Sequence, residues 1–324
     1  MTSLITGGAG FIGSYLAELL RSEGDQVILL DDLSTGRREN VAHLLDAGGV
    51  ELVEGTILDA DLVREQVARA DRVFHLAAAV GVKLVMQRPL HTINVNLLGT
   101  HHVLDAAAEL DKPTLLASSS EAYGDQAAAR FQETTPSVLG PIHEMRWIYG
   151  LSKFADEYLP RAYAAEKGLQ AVGARFFNTS GPRQTGRYGM VVPRFVQQAL
   201  KGEPLTVFGD GKQVRCFCHV RDTARACKLL IEAPHCMGET FNVGTREAVT
   251  IEQLAETIIQ MTGSSSRLEY VPYEQAYGVG IQDIRFRVPD TSKIKEATGF
   301  EPRYSLEDIL GEVIEYYRSA EAQA

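Results

Sequence analysis

Leu4-Ile5-Thr6-Gly7-Gly8-Ala9-Gly10-Phe11-Ile12-Gly13 is the stretch that decides the fold. A short apolar run feeds a glycine-rich turn, and a helical pattern from Phe11 to Leu20 follows at once. Strand, tight turn and helix form the context in which glycines let a backbone approach a pyrophosphate at a helix N-terminus. The spacing satisfies G-x-G-x-x-G at Gly8, Gly10 and Gly13, and G-x-x-G-x-x-G at Gly7, Gly10 and Gly13. A lone match is weak, since a glycine turn can bind nothing. Here a second strand-like run, Gln26 to Leu30, ends in Asp31, about 20 residues on, where a carboxylate accepts from the adenosine ribose hydroxyls. A carboxylate there repels a 2′-phosphate, so NAD is expected over NADP, although Arg37 and Arg38 follow closely.

Outward from this unit, strand-like runs recur at Val50-Val53, Arg72-Ala77, Thr114-Ala117 and Ala171-Arg175. Helical patterns separate them at Asp61-Ala70, Asn94-Leu110 and Tyr149-Lys167. Such alternation predicts an α/β chain with a parallel sheet covered on both faces and a ligand at the strand C-terminal ends. Ala77-Ala78-Ala79 suits close approach to a cofactor and equally suits core packing. Past about residue 177 the alternation becomes irregular. Asn178 to Gly189 reads as a loop, followed by a helix at Val192-Lys201, a strand at Leu205-Phe208, the turn Gly209-Asp210-Gly211 and a last helix at Leu306-Arg318. The expected division is 1–176 with about 214–245 as the nucleotide domain, and 177–213 with 246–324 as a smaller substrate subdomain packed on it.

The 324 residues suffice for one large α/β unit or two intimate subdomains. A net charge of −10 argues against non-specific nucleic-acid binding. No apolar run approaches the roughly 20 residues that cross a bilayer, and no basic leader precedes the first strand, so the cytoplasm is expected and no membrane partner. Cys216, Cys218, Cys227 and Cys236 give no disulfide framework. Cys216-x-Cys218-His219 has the wrong spacing for a zinc knuckle, so buried thiols are expected and no metal.

Tyr149 and Lys153 lie four apart on a predicted helix and share one face. An ammonium beside a phenol favours the phenolate, so the pair is expected to act as a base near neutrality. Strand Thr114-Ala117 runs into Ser118-Ser119-Ser120-Glu121, whose hydroxyls and carboxylate fall where ligands meet a parallel sheet. A plain serine-rich turn is the alternative.

In order along the chain, the glycine loop, Asp31, His75-Leu76-Ala77-Ala78, Asn96-Leu97-Leu98-Gly99-Thr100, Ser118-Gly124, Tyr149…Lys153, Arg175-Phe176-Phe177-Asn178, Gly181-Pro182-Arg183 and Phe208-Gly209-Asp210-Gly211 resemble the extended short-chain dehydrogenase/reductase family. The likeness is to its nucleotide-sugar epimerase and dehydratase branch and covers essentially the whole chain. It implies a Rossmann doubly wound parallel sheet with a smaller C-terminal α/β substrate subdomain. It also implies that Gly7, Gly10, Phe11, Ile12, Asp31, Ile57, Ala77 and Lys153 hold NAD. Tyr149 would be the base at the sugar C4 hydroxyl, with Ser119 sharing that proton's hydrogen bond. Asn178, Arg187, Val192, Phe208 and Arg215 would line the uridine-diphosphate site; Arg187 and Arg194 also read as surface residues. Thr56 departs from the acidic residue often found at the adenine. Family members usually form homodimers through the helices equivalent to Asn94-Leu110 and Tyr149-Lys167.

Within this branch, the resemblance implies hydride loss from C4 to NAD+ and then one of three exits: epimerisation, 4,6-dehydration, or loss of CO2 from a uronate. Dehydratases of this kind carry Asp-Glu where Ser120-Glu121 stands, and simple epimerases usually lack a carboxylate at Glu121. Arg146-Trp147-Ile148-Tyr149 and Gly280-Ile281-Gln282-Asp283-Ile284-Arg285-Phe286-Arg287-Val288-Pro289-Asp290 are similar to segments of UDP-glucuronate decarboxylases, in which the arginine at the Arg287 position reaches the sugar. Ile281 departs from an aromatic residue there, and Arg287 also fits a phosphate or structural role. The expected activity is decarboxylation of a UDP-uronate, with UDP-glucuronate as the expected substrate. The expected alternatives are a UDP-sugar 4-epimerase and a non-catalytic NAD-binding sensor.

Overall fold

Apolar runs without alternation form strands when both faces of a sheet are covered. Seven such runs do so here: β1 (Thr2–Thr6), β2 (Gln26–Asp31), β3 (Val50–Glu54), β4 (Arg72–His75), β5 (Thr114–Ser119), β6 (Ala171–Phe176) and β7 (Thr240–Val243). The computed structural model of the chain describes residues 1–125, 130–186, 190–277 and 284–321. Across the sheet the order is β7-β6-β5-β4-β1-β2-β3, with every neighbouring pair parallel. On one face Ile5, Leu29 and Phe74 pack against the helices Phe11–Ser22 and Val220–Ile231. On the other, Leu4, Leu30 and Val73 meet the helices Ala60–Ala68 and Thr100–Glu109. Each fully buried Leu or Ile contributes about 2 kcal/mol of apolar transfer energy. The strand order reverses between β1 and β4, which opens a crevice at their C-terminal ends.

Two expected helices are divided. The run from 149 to 167 forms one helix at Trp147–Asp156 and a second at Leu159–Lys167. Pro160 sits in the first turn of the second helix; it has no N–H to offer the carbonyl of Asp156 and its ring would crowd it. The run from 94 to 110 starts further upstream, at Pro89–Ile93, and passes through a wide π turn at Asn94–Gly99 before Thr100–Glu109. That turn brings the buried Asn96 amide inward, where it accepts from Ala79 N at 2.8 Å and donates to Ser152 Oγ at 3.0 Å.

The smaller body is built from short strands. Leu205–Phe208 pairs in parallel with Leu268–Val271, and Val214–Cys216 lies between Ala248–Thr250 and Phe286–Arg287. Helices Val191–Leu200, Ile251–Thr262 and Leu306–Glu321 close a second core around Phe195, Leu254, Ile258, Ile309 and Leu310. Between these pieces the chain returns to the large sheet, where Val220–Ile231 covers it and β7 extends it. Among the described residues no helix is long and apolar enough to cross a membrane.

Candidate active site

The glycine turn at the end of β1 is held against the end of β4. Gly7 has φ +70°, and a Cβ there would lie 2.9 Å from the Ala77 backbone; a Cβ on Gly13 would lie 2.2 Å from the Gly7 carbonyl. Only bare backbone fits both positions, and the following helix starts with Gly10 at its N-cap. Asp31, at the end of β2, stitches itself to this turn, accepting from Ala9 N and from Leu33 N at 2.9 Å each. Burial pushes its carboxyl up, and the amide hydrogen bonds oppose that shift. Below, His75 bridges Thr6 Oγ1 at 2.7 Å and Thr100 Oγ1 at 2.9 Å; burial drives its pKa down to about 3, so the ring stays neutral. A glycine cradle closed to side chains, beside a carboxylate at the next strand end, fits the dinucleotide expected from the sequence.

A cleft of about 700 Å³ runs over these strand ends. Gly7, Gly10, Phe11, Ile12, Asp31, Ile57, Ala77, Ser119, Ser120, Glu121, Tyr149, Lys153, Asn178, Val192, Phe208, Arg215 and Arg287 all line it. Arg187 lies outside the described residues, as do Gly280-Ile281-Gln282-Asp283 of the C-terminal segment.

Tyr149 and Lys153 project from the Trp147–Asp156 helix toward the end of β5. Tyr149 hydrogen-bonds Ser119, whose Oγ also accepts from Glu121 N at 3.2 Å and caps the 3₁₀ turn Ser120–Tyr123. The expected acidic phenol is not what this arrangement gives. Burial pushes Tyr149 above its ordinary range, the Glu121 and Asp156 carboxylates add to the rise, and the Ser119 bond and Arg287 oppose it. Lys153 is engaged beside it. Its buried Nζ donates to the Ala117 carbonyl and to Asp156 Oδ2, each at 3.1 Å.

Glu121 Oε1 accepts from Arg287 Nη1 at 2.5 Å, and the same nitrogen lies 3.4 Å from the buried Ser120 Oγ. Asn242 on β7 fixes the segments that carry both charges. It accepts from Tyr123 Oη at 2.8 Å and donates to the carbonyls of Phe131 at 2.9 Å and Asp290 at 3.1 Å. Phe131 in turn pairs with the chain just past Arg287, donating to the Val288 carbonyl at 2.9 Å.

At the smaller body, the Arg194 guanidinium stacks 4.0 Å from the Phe208 ring centre and donates to the Thr206 carbonyl at 3.1 Å. Gln213 donates to Tyr273 Oη at 2.5 Å and to the Phe208 carbonyl at 2.8 Å, fixing that corner. Buried Arg215 donates to the Val214 carbonyl at 2.8 Å. Asn178 stands at φ +25° and donates to the Cys216 carbonyl at 2.9 Å, a backbone position that asparagine tolerates better than most residues. Sequence reasoning left Arg194 open and missed Tyr273, Asp156 and Asn242. For Asp156 a signal existed, since a carboxylate three residues after a helical lysine shares its face. For Tyr273 and Asn242 there was none, because their partners are remote in sequence.

The sequence pattern of the family described as GDP-mannose 4,6 dehydratase matches residues 4–313. A UDP-N-acetyl-alpha-D-glucosaminuronate decarboxylase of Bacillus cytotoxicus is 39% identical over 319 residues, covering 98% of each chain. UDP-glucuronic acid decarboxylase 1 of Arabidopsis thaliana is 35% identical over 98% of this chain and 69% of its own. Among solved structures, UDP-glucuronic acid 4-epimerase from Bacillus cereus, in complex with UDP-glucuronic acid and NAD, superposes with a TM-score of 0.88 at 26% identity, covering 99% of this chain and 100% of that one. A match that begins in β1 and ends inside the last helix takes in every strand of the nucleotide sheet, and the chain therefore belongs to the GDP-mannose 4,6 dehydratase family.

Proposed function

We propose that the protein is an NAD-dependent nucleotide-sugar decarboxylase that oxidises C4 of a UDP-linked uronate and then releases CO2. The observation that carries this reading is the Arg287–Glu121 ion pair, at 2.5 Å and next to Tyr149. An arginine suits a carboxylated sugar. A carboxylate beside it disfavours a second negative charge in the same place and so favours departure as neutral CO2. The decarboxylase relatives support the same choice.

In this reading Gly7, Gly10, Phe11, Ile12, Asp31, Ile57, Ala77 and Lys153 hold NAD, whose nicotinamide, when bound, supplies the hydride chemistry at C4. Tyr149 takes the C4 hydroxyl proton, aided by Ser119. Burial raises the phenol's proton affinity, and positive charge beside it would lower that affinity and so make the phenolate available as the base. The 4-ketone is β to the C6 carboxylate, and the negative charge left at O4 by CO2 loss falls to hydroxyl donors at Tyr149 and Ser119. C5 regains its proton from solvent, while the Arg287 guanidinium, which keeps its own protons, orients the sugar. Ser120 carries a hydroxyl where a dehydratase needs an acid, so loss of water across C5 and C6 lacks its donor. Asn178, Arg187, Val192, Phe208 and Arg215 hold the uridine diphosphate, the ring against Phe208 and the phosphates near Arg215.

Leu90, Leu98, Leu151 and Tyr158, exposed on the helical runs 89–109 and 147–167, support a homodimer through that face. Incubation with UDP-glucuronate and with its 2-acetamido counterpart tests the function. CO2 and a UDP-pentose are expected from one of them, whereas a C4 epimer without CO2 would replace this reading by that of a 4-epimerase, which the Bacillus cereus neighbour favours. Glu121→Gln is expected to slow CO2 loss more than the first hydride step in single-turnover kinetics, and equal slowing would remove Glu121 from the decarboxylation.

A further inference from the structure

Beneath Tyr149 and Lys153 lies a carboxylate with no part in the chemistry described so far. Asp156 ends the Trp147–Asp156 helix with its side chain fully buried and places Oδ2 3.1 Å from Lys153 Nζ. Its Oδ1 has no hydrogen-bond partner among the described residues. The next residue, Glu157, is also buried but is committed elsewhere. It accepts from Arg175 Nε at 2.7 and 2.9 Å, and from Ser118 Oγ at 2.5 Å. The charged and titratable groups facing this spot are therefore Lys153 and Tyr149 on the same helix, Glu157 at its end, Arg175 on β6 and neutral His75 on β4, with the Glu121–Arg287 pair beyond Tyr149. Arg175 balances Glu157, and Arg287 balances Glu121. Asp156 is left as the carboxylate that answers the ammonium of Lys153.

We propose that Asp156 is a positioning residue of the Tyr149–Lys153 pair: it pins Lys153 Nζ between its own Oδ2 and the Ala117 carbonyl and withholds part of the ammonium's field from the phenol. The proposal deepens the C4 oxidation above and rests on it. Two of the three N–H bonds of the ammonium go to these fixed acceptors, so the third has one direction in which to point. The phenol feels a dipole in place of a bare cation, and the carboxylate end of that dipole adds to the burial that already raises its proton affinity. Asp156 thus sets the pH at which oxidation switches on. Removing a negative charge from beside a phenol lowers its pKa, so the acid limb of the rate profile moves to lower pH when Asp156 is neutralised.

The test uses the full chain and Asp156→Asn, which keeps the side-chain shape and removes the charge. Nitrogen NMR of lysine-labelled protein, with Lys153→Arg as the assignment control, reads the positioning without turnover. A resolved, slowly exchanging ammonium signal for Lys153 is expected in the wild type and its loss in Asp156→Asn. In single-turnover C4 oxidation of the UDP-uronate, followed by reduced-nicotinamide absorbance, the acid limb is expected to fall by about one pH unit. An unchanged ammonium signal, or a limb that stays in place, overturns the proposal. If neither Asp156→Asn nor Asp156→Ser folds, the carboxylate serves stability alone and the proposal is equally overturned. Should no nucleotide sugar be oxidised at all, the proposed function fails, while the ammonium signal still reports on the pinning.

Discussion

The two halves of the cleft are made by different means. On the nucleotide side the walls are backbone: a glycine turn too tight for a Cβ, strand ends of a seven-stranded parallel sheet, and Asp31 bonded to the turn's own amides. On the side of the smaller body the walls are side chains: Phe208 and Arg215 on strands of four and three residues, Tyr273 just after another short strand, and Arg194 on the helix Val191–Leu200. The first half follows from the backbone of the fold itself, whereas the second depends on the identity of a few side chains.

The strongest way to break this contrast is Gly13→Val. A Cβ 2.2 Å from the Gly7 carbonyl forces the turn and the first helix apart. The cost is about 3 kcal/mol, roughly a hundredfold in NAD affinity, while calorimetry with UDP alone is expected to show binding close to wild type. Loss of both ligands would mean that the halves are not separable. Tyr149→Phe addresses the chemistry between them. C4 oxidation is expected to fall on the order of 10³-fold, with NAD and UDP both still bound in the same titrations. Phe208→Ala sharpens the other side: losing the ring and its contact with Arg194 costs about 1 kcal/mol, about fivefold in the Kd for UDP, and leaves the NAD isotherm unchanged. The smallest effect concerns the floor under the glycine turn. Burial, with the Lys153 charge nearby, pushes native His75 down to about 3 from its ordinary value of about 6.5. As pH falls below 6.5 the unfolded chain takes up a proton that the native chain refuses. The stability linked to His75 is therefore complete above pH 6.5 and is lost as pH drops toward 3. Urea midpoints for His75→Gln are expected to fall less steeply over that window than those of the wild type.

The same contrast governs how much could be read from residues alone. Glycine spacing, the acidic end of β2 and apolar runs uninterrupted by polar residues made the nucleotide half legible, because those features are local. Pro160 was visible too, yet its consequence, two helices in place of one, depends on the chain turning at Glu157 and Tyr158. The π turn at Asn94–Gly99 changes the helical period by so little over one turn that no pattern betrays it. The surroundings of the tyrosine were the least legible part. Four-residue spacing put an ammonium beside a phenol, but spacing says nothing of burial or of a carboxylate that claims the ammonium first. Charges in a low-dielectric interior answer to every neighbour, and most of those neighbours are distant in sequence.

Asn242 gives these distances a consequence for movement. Arg287 ends a two-residue strand of the small sheet, and the residues after it are moored through Phe131 and Asp290 to an amide on the edge of the large one. The seam between the two bodies thus passes through the arginine that answers Glu121. Any tilt of one body against the other has to stretch or release that contact, so closing around a ligand and bringing the charges into line become a single event.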